Sequence, residues 1–150
     1  MKISVQEIEQ NQSEQVVIQC YSITDKVNNI INFIKSTDTF LFGYEDERMV
    51  ELFLTDIYYV EAVDNKVFAY TENKTYQLRV KLYEFEEANK FMRFFRCSKS
   101  MVVNLMKVDS VYPIFNGRFS AKLFNGEEII ISRRYVSALK KVLGGENNEV

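Results

Sequence analysis

Apolar and polar residues alternate over most of this chain, a pattern that predicts β-strands. A period of two places the apolar side chains on one face of a strand, where they can cover a core. Alternation predicts a strand at 2–9, and strand-like apolar runs bounded by polar turns predict further strands at 15–21, 39–43, 48–54, 57–63, 66–71, 75–80 and 94–97. The chain is therefore expected to be mainly β.

The second half of the chain contains the clearest turn signals. Asn116-Gly117 and Asn125-Gly126 each stand between strand-like runs. The Asn-Gly pair accommodates the positive φ angles of a type I′ turn, which suits a β-hairpin. We therefore expect a three-stranded antiparallel meander over 107–115, 118–124 and 127–131.

Three segments have the apolar spacing of helices instead. Thr24 or Asp25 is expected to cap a first helix, and a short helix is predicted at 82–91. Ser132 is expected to cap a last helix that ends at Gly144-Gly145. The predicted fold class is therefore α+β, mainly β with short helices.

These elements divide the chain into three parts. Residues 1–38 form a predicted β-β-α extension, which is too short to hold a core of its own. We expect this extension to pack on the rest of the chain, on a second copy in a dimer, or on another partner protein. The main domain is predicted at 39–145, and 146–150 is expected to be a loose tail.

Composition supports a folded domain and excludes several kinds of site. The chain is 47% hydrophobic and 14% aromatic, with one proline, which argues for a real core and against disorder. It has no histidine, no Gly-rich phosphate loop and no cluster of metal-ligand residues. We therefore expect no enzyme activity, no metal, no cofactor and no small-molecule substrate.

The cysteines and the hydropathy indicate where the protein resides. Cys20 and Cys97 are far apart in a chain without a signal peptide, so they are interpreted as reduced thiols. Cys97 is expected to be a small buried apolar residue. No apolar run approaches the roughly 18–20 residues of a membrane span. The expected location is the cytoplasm.

Charge is strongly divided along the chain, although the formal net charge is only −2. Residues 88–144 contain eleven Lys or Arg and three acids, a net charge of +8, whereas residues 1–87 have a net charge of −8. Ser132-Arg133-Arg134 opens the last predicted helix. Because helix N-termini carry partial positive charge, two arginines there cost roughly 0.3–1 kcal/mol each, unless an anion such as phosphate is bound. An anionic partner is therefore expected.

Three motifs, in order along the chain, resemble those of one known family. They are IYYVEA at 57–62, FFRCSKSMVVN at 94–104 and IISRRYV at 130–136. Residues 44–144 resemble the LytTR DNA-binding domain of bacterial transcription regulators. The resemblance implies an elongated fold of mostly antiparallel strands. It also implies that loops in the major groove read tandem imperfect DNA repeats, usually in a pair of protomers.

The resemblance implies three DNA-binding loops in this chain. The matching positions are Asn65 and Lys66 in the 63–67 turn, Ser98, Lys99 and Ser100 in the 97–100 loop, and Ser132, Arg133 and Arg134 at the last helix. Lys81 is a further expected phosphate contact, and Arg96 suits either a structural ion pair or a contact. Many relatives have a histidine where this chain has Ser98-Lys99. The DNA sequence that this chain reads therefore cannot be taken from them.

The resemblance also bears on control and on partners. The family's domain commonly follows a phosphate-accepting receiver domain, and the roughly 43 residues before the matching region are too few for one. We therefore expect no control by phosphorylation on this chain. Besides double-stranded DNA and a homodimer partner, a small membrane protein that restrains the regulator is a candidate partner. The alternative function is a protein-interaction module whose basic face binds an acidic partner.

Overall fold

Antiparallel hairpins build most of the fold in this computed structural model, which describes residues 1–37 and 39–144. The strands are β1 (Phe40–Glu45), β2 (Arg48–Phe53), β3 (Tyr59–Val63), β4 (Lys66–Tyr70), β5 (Thr75–Leu78), β6 (Phe94–Ser98), β7 (Met101–Asn104), β8 (Val108–Pro113), β9 (Phe119–Leu123) and β10 (Glu128–Ile131). The α-helices are α1 (Asp25–Ser36), α2 (Leu82–Ala88) and α3 (Arg133–Gly144). The predicted fold class, mainly β with short helices, is confirmed.

The strands form two antiparallel sheets. The large sheet has the order β2-β1-β5-β4-β3-β7-β6, and the small sheet has the order β10-β9-β8. The small sheet is the meander predicted from the two Asn-Gly pairs. Both sheets consist of neighbouring hairpins, so most pairings join segments that are close in sequence.

Two apolar cores hold the sheets and the helices together. The first core lies against α2 and includes Val60, Leu78, Phe85 and Val102. The second core joins the large sheet to the small sheet and α3, and it includes Cys97, Val103, Ile131 and Leu139. The successive residues Val102 and Val103 enter different cores, so β7 is covered on both faces. This explains why the run in β7 is apolar without alternation.

The predicted first helix is confirmed as α1, and it packs on the large sheet. The Thr24 hydroxyl accepts a hydrogen bond from the Val27 amide at 3.3 Å, which caps the helix. Val27 is buried, and Phe33 packs against the first core. At the other end, the Ser36 hydroxyl donates to the Phe33 carbonyl at 2.6 Å. The helix is therefore part of the folded domain.

The two strands predicted at 2–9 and 15–21 are wrong. The structure assigns neither segment to a strand, and both are exposed except for the half-buried Ile18. A single extended run cannot satisfy its own backbone groups, because strand hydrogen bonds join neighbouring strands. In the described chain the predicted extension is therefore an exposed segment followed by α1. The predicted tail at 146–150 lies outside the described residues.

The two Asn-Gly turns differ from each other in conformation. Asn116 and Gly117 both have positive φ angles, 65° and 73°, as predicted. In the second turn only Gly126 is positive, at 91°, and its amide donates to the Leu123 carbonyl at 3.0 Å. That geometry is a type I turn followed by a left-handed glycine, which serves three-residue hairpin loops. The type I′ prediction for Asn125-Gly126 is therefore wrong.

Candidate nucleic-acid interface

Two of the predicted DNA-binding loops lie side by side at one end of the large sheet. The β3–β4 turn is at the end of the sheet where Val63 pairs with Lys66. β7 begins at the same end, because Met101 pairs with Glu61 of β3. The Ala62 amide donates to the Ser100 carbonyl at 2.8 Å. A backbone hydrogen bond therefore joins the 97–100 loop to the β3 residue that immediately precedes the 63–67 turn.

The third predicted loop, at the start of α3, is tied to the second. The Ser132 amide donates to the Cys97 carbonyl at 2.8 Å, and the Tyr135 amide donates to the Ser132 carbonyl at 2.8 Å. Leu139 of α3 and Cys97 share the second core, which holds the helix against β6. The tertiary structure therefore brings together three loops, of which the first and the last are separated by about 65 residues in the sequence. We call these segments, 63–67, 97–100 and 132–134, the loop end of the molecule.

The predicted site residues are accessible at the loop end. The exposed side chains are Asn65, Lys66, Lys99, Ser100, Arg133 and Arg134, and the half-buried ones are Ser98 and Ser132. The turn at Asp64-Asn65 has positive φ angles of 51° and 63°, the conformation of a type I′ hairpin turn. This turn projects Asn65 beyond the sheet, and Lys66 follows as the first residue of β4.

Lys81 lies at the same end of the sheet as these loops. β5 ends at Leu78, which pairs with Val67 next to Lys66. Lys81 follows three residues later at the start of α2, where its amide donates to the Glu84 carboxylate at 3.0 Å. Its side chain is exposed. The capping bond sets the position of the Lys81 backbone and leaves the ammonium group in solvent.

Arg96 is a positioning residue for the 97–100 loop. Its Nε donates to the Ser98 carbonyl at 2.7 Å, and a second guanidinium nitrogen donates to the Lys99 carbonyl. Its Nη1 pairs with the Glu86 carboxylate of α2 at 2.9 Å. The structural ion pair, one of the two alternatives for Arg96, is therefore the one observed. The arginine connects α2 to the loop backbone.

We expect Arg96→Ala to loosen this loop. The change removes charge-assisted hydrogen bonds, which typically contribute about 1.5–3 kcal/mol each, from two carbonyls and from Glu86. Amide hydrogen exchange at 98–100 should accelerate, and affinity for duplex DNA should fall. Lys90→Ala is the matched control, since Lys90 is an exposed cation that pairs with Glu87 at 3.4 Å. Equal hydrogen exchange at 98–100 in both variants would contradict the positioning role.

A shallow, open depression lined by two arginines, which we call the cleft, extends the loop end toward the small sheet. Its volume is about 660 Å³, and it is lined by Asn116, Arg118, Ser132 and Arg133. A Cβ atom built on Gly117 would lie 2.9 Å from Cδ of Arg133, so the Arg133 side chain lies directly over this glycine. From the sequence, Arg118 was noted only as one of the eleven Lys or Arg residues in 88–144. Its position next to the Asn-Gly turn was the signal that could have placed it near the last helix.

Two side chains of the second core, Cys97 and Tyr59, carry groups that could have been reactive. Burial raises the pKa of the Cys97 thiol to about 12, so this cysteine stays a neutral thiol at physiological pH. The Tyr59 hydroxyl donates to the Glu127 carboxylate at 2.7 Å, and burial is the main cause of the raised pKa of Tyr59. The Tyr59–Glu127 contact joins the large sheet to the small sheet, which gives Glu127 a structural partner.

The residues that the structure describes contain no group of three or more Cys, Asp or Glu placed to hold a metal ion. None of their helices combines the length and the apolar character needed to cross a membrane.

Comparison with known proteins identifies the family. The model of the LytTr DNA-binding domain matches residues 47–144. The transcriptional regulatory protein YpdB of Escherichia coli K12 is 31% identical over 117 residues, which are 77% of this chain and 44% of YpdB. This chain thus spans less than half the length of YpdB.

Two further similarities agree with the family match. An uncharacterized HTH-type transcriptional regulator of Staphylococcus aureus NCTC 8325 is 29% identical over 139 residues, which are 91% of this chain and 94% of the relative. The solved LytTr DNA-binding domain of a Bacillus cereus protein superposes with a TM-score of 0.66 and 28% identity, over 70% of this chain and 96% of that one. The three sequence motifs, the antiparallel fold and these matches agree: the chain belongs to the LytTr DNA-binding domain family.

Proposed function

We propose that this chain is a sequence-specific transcription regulator that inserts its loop end into the major groove of DNA. The observation that carries the proposal is the joining of three polar loops by backbone hydrogen bonds, Ala62 to Ser100 and Ser132 to Cys97. Two of these loops lie in the part of the chain with a net charge of +8. Loops on a rigid sheet suit recognition, because the scaffold holds their side chains in register.

We assign different roles to the exposed side chains of the loop end. Arg134 reads guanine, since its guanidinium suits the N7 and O6 acceptors. Lys99 and Asn65 contact base edges or neighbouring phosphates. The DNA sugar-phosphate backbone accepts hydrogen bonds from Ser98, Ser100 and Ser132. Lys66, Lys81 and Arg133 neutralise phosphates. Arg118 joins this last group, because it lines the cleft that also contains Arg133.

We propose that two copies of the chain bind DNA together, each of them reading one of two tandem imperfect repeats. One loop end covers a short stretch of groove, and two half-sites spaced by whole helical turns present the same face of the duplex to two protomers. Control then depends on abundance or on a partner, such as a small membrane protein that restrains the regulator in the cytoplasm, and not on phosphorylation of this chain.

Binding to duplex DNA at several salt concentrations tests the function. Phosphate neutralisation releases counterions, so log K should fall linearly with log salt. Lys81→Ala should flatten the slope by about 1 and weaken binding evenly across sequences. Lys74→Ala is the matched control, because this exposed lysine lies in the β4–β5 turn at the opposite end of the large sheet.

An acidic protein partner is the alternative that this experiment must separate from DNA. Both partners would bind a basic face, but only DNA offers base edges that a selected sequence can present. Fragments selected from a random duplex pool should share a motif and bind more tightly than unselected DNA. Selection without a shared motif, together with equal affinity for an acidic polypeptide, would favour the interaction module.

A further inference from the structure

The segment that precedes α1 is exposed, belongs to no helix or strand, and carries several large apolar side chains. We call residues 1–23 the N-terminal arm. Its large apolar side chains remain in solvent: Ile3 is 87% exposed, Val5 92%, Val17 67% and Ile23 71%. Among the described residues, one backbone–backbone hydrogen bond involves the arm, from the Gln12 amide to the Glu9 carbonyl. The arm thus has the alternation of a strand but has no sheet to join within its own chain.

A second unpartnered feature lies at the edge of the large sheet. β2 is the edge strand, so one row of its amides and carbonyls faces away from β1. The outward face of the β1–β2 hairpin carries an aromatic patch, which consists of Phe40, Phe42, Met49 and Phe53. These side chains are 39–53% exposed, and the ring of Phe40 packs edge-on against those of Phe42 and Phe53. Exposed patches of this kind mark interaction sites.

We propose that the N-terminal arm of one copy adds to β2 of a second copy, and that the exchange is reciprocal. The arm supplies an unpaired strand with alternating apolar side chains. The β2 edge supplies free backbone groups, and the aromatic patch beside it supplies an apolar surface. Strand addition of this type uses backbone hydrogen bonds for affinity and alternate side chains for specificity. Reciprocal exchange closes the pair, which leaves no free arm and no free edge at these positions.

The apolar surface of the arm is large enough for a stable pair. Each arm carries eight large exposed apolar side chains: Met1, Ile3, Val5, Ile8, Val16, Val17, Tyr21 and Ile23. Burial of a side chain of this size removes roughly 60–120 Å² of apolar surface from water. Pairing along the six residues of β2 places about three arm side chains on the patch. Two reciprocal contacts, counted with the patch surface that they cover, therefore remove roughly 700–1,400 Å² of apolar surface, which overlaps the lower part of the range of about 1,200–2,000 Å² typical of specific interfaces. This inference does not rest on DNA binding.

Paired substitutions on the two faces of the arm test the exchange in the full-length chain. Ile3→Asp/Val5→Asp places charge on the apolar face, and Ser4→Asp/Gln6→Asp places the same charge on the polar face of the same run. Sedimentation equilibrium should give a dimer dissociation constant that is raised roughly tenfold or more by the first pair. The second pair should change it less than about threefold. All four positions are exposed, so the domain should remain folded.

Mixing two defective variants identifies the site on the second copy. Phe53→Asp damages the aromatic patch and leaves the arm intact, whereas Ile3→Asp/Val5→Asp damages the arm and leaves the patch intact. A mixture regains one intact arm–edge contact per pair, so heterodimers should form at concentrations where each variant alone is monomeric. Met49→Asp replaces Phe53→Asp if the thermal melt of the latter shows loss of folding.

Several results would overturn the exchange. A monomeric wild-type chain at tens of micromolar, equal effects of the two arm pairs, or failure of the mixture to form heterodimers would each contradict it. If the arm slows amide hydrogen exchange in β2 of a monomeric chain, the arm docks on its own sheet and the exchange between copies is contradicted. Binding of each arm variant to a single DNA half-site should stay within about twofold of the wild type, so failure here is distinguishable from failure of DNA binding.

Discussion

Arg134→Ala is expected to lower affinity for the selected operator roughly 5- to 150-fold, the effect of losing about 1–3 kcal/mol of base recognition. Arg134 is exposed in the first turn of α3, and its guanidinium carbon lies 5.8 Å from the ring centroid of Tyr135. The helix start is held by the hydrogen bond from Ser132 to Cys97. The side chain therefore projects from a rigid support, as a base-reading group requires.

The loss should depend on DNA sequence, which separates base reading from general electrostatics. Affinity of Arg134→Ala for unselected DNA should fall much less than its affinity for the operator, because a phosphate contact carries no sequence information. Lys141→Ala is the matched control, since it removes one positive charge from the last turn of the same helix. If Lys141→Ala and Arg134→Ala weaken operator binding equally, Arg134 does not read a base.

Leu139→Ala is expected to lower the free energy of unfolding by about 2–5 kcal/mol, as for other buried leucines. Leu139 is 1% exposed and lies in the second core with Cys97, Val103 and Ile131. Truncation leaves a cavity between α3 and the β6 end of the large sheet. Urea unfolding monitored by circular dichroism measures the change.

A partly exposed leucine in the same helix provides the comparison. Leu143 is 43% exposed one turn later, so Leu143→Ala should cost less than about 1 kcal/mol. At a temperature where Leu139→Ala remains folded, its DNA affinity should still fall, because the helix start is less well held against Cys97. Similar unfolding free energies for the two variants would show that the second core does not anchor α3.

Backbone contacts hold together the loop end, which is the surface that we propose for DNA recognition. Ala62 and Ser132 connect the outer loops to the central one through main-chain hydrogen bonds. Arg96 connects the central loop to α2 by hydrogen bonds and an ion pair. These supports allow the exposed side chains to vary while the loops stay in place. The side chains of Ser98 and Lys99 are expected to affect the DNA sequence that is read and not the geometry of the loop.

Most strands and all three helices could be predicted from the sequence, since their patterns are local. Strand alternation places β3, β4 and β9 within a few residues of their limits, and the cap at Thr24 marks the start of α1. Prediction from the local pattern failed where strand formation depends on pairing with a second segment. The segments 2–9 and 15–21 alternate as strands do, but no strand of the same chain lies beside them. A β-strand needs hydrogen bonds to a neighbouring strand, and a local sequence pattern contains no information about whether that neighbour is present.

The candidate site was predicted in part, because motif resemblance identifies positions but not contacts. It selected the three loops, from Asn65 to Arg134. It left Arg96 open between two roles, since an ion pair with Glu86 depends on how α2 packs beside β6. It also overlooked the cleft at Arg118 and Arg133. That cleft forms only when the β8–β9 turn approaches the start of α3.

The sequence by itself determined the mainly β fold class, the basic second half, the family and the residue types available for DNA contact. These follow from periodicity, charge and motif order, which are properties of neighbouring residues. Only the tertiary structure decided that the three loops meet at one end of the sheet, that Arg96 supports one of them, and that the arm remains without a partner. Each of these depends on hydrogen bonds or packing between segments far apart in the chain, and such contacts form only once the sheets and cores assemble.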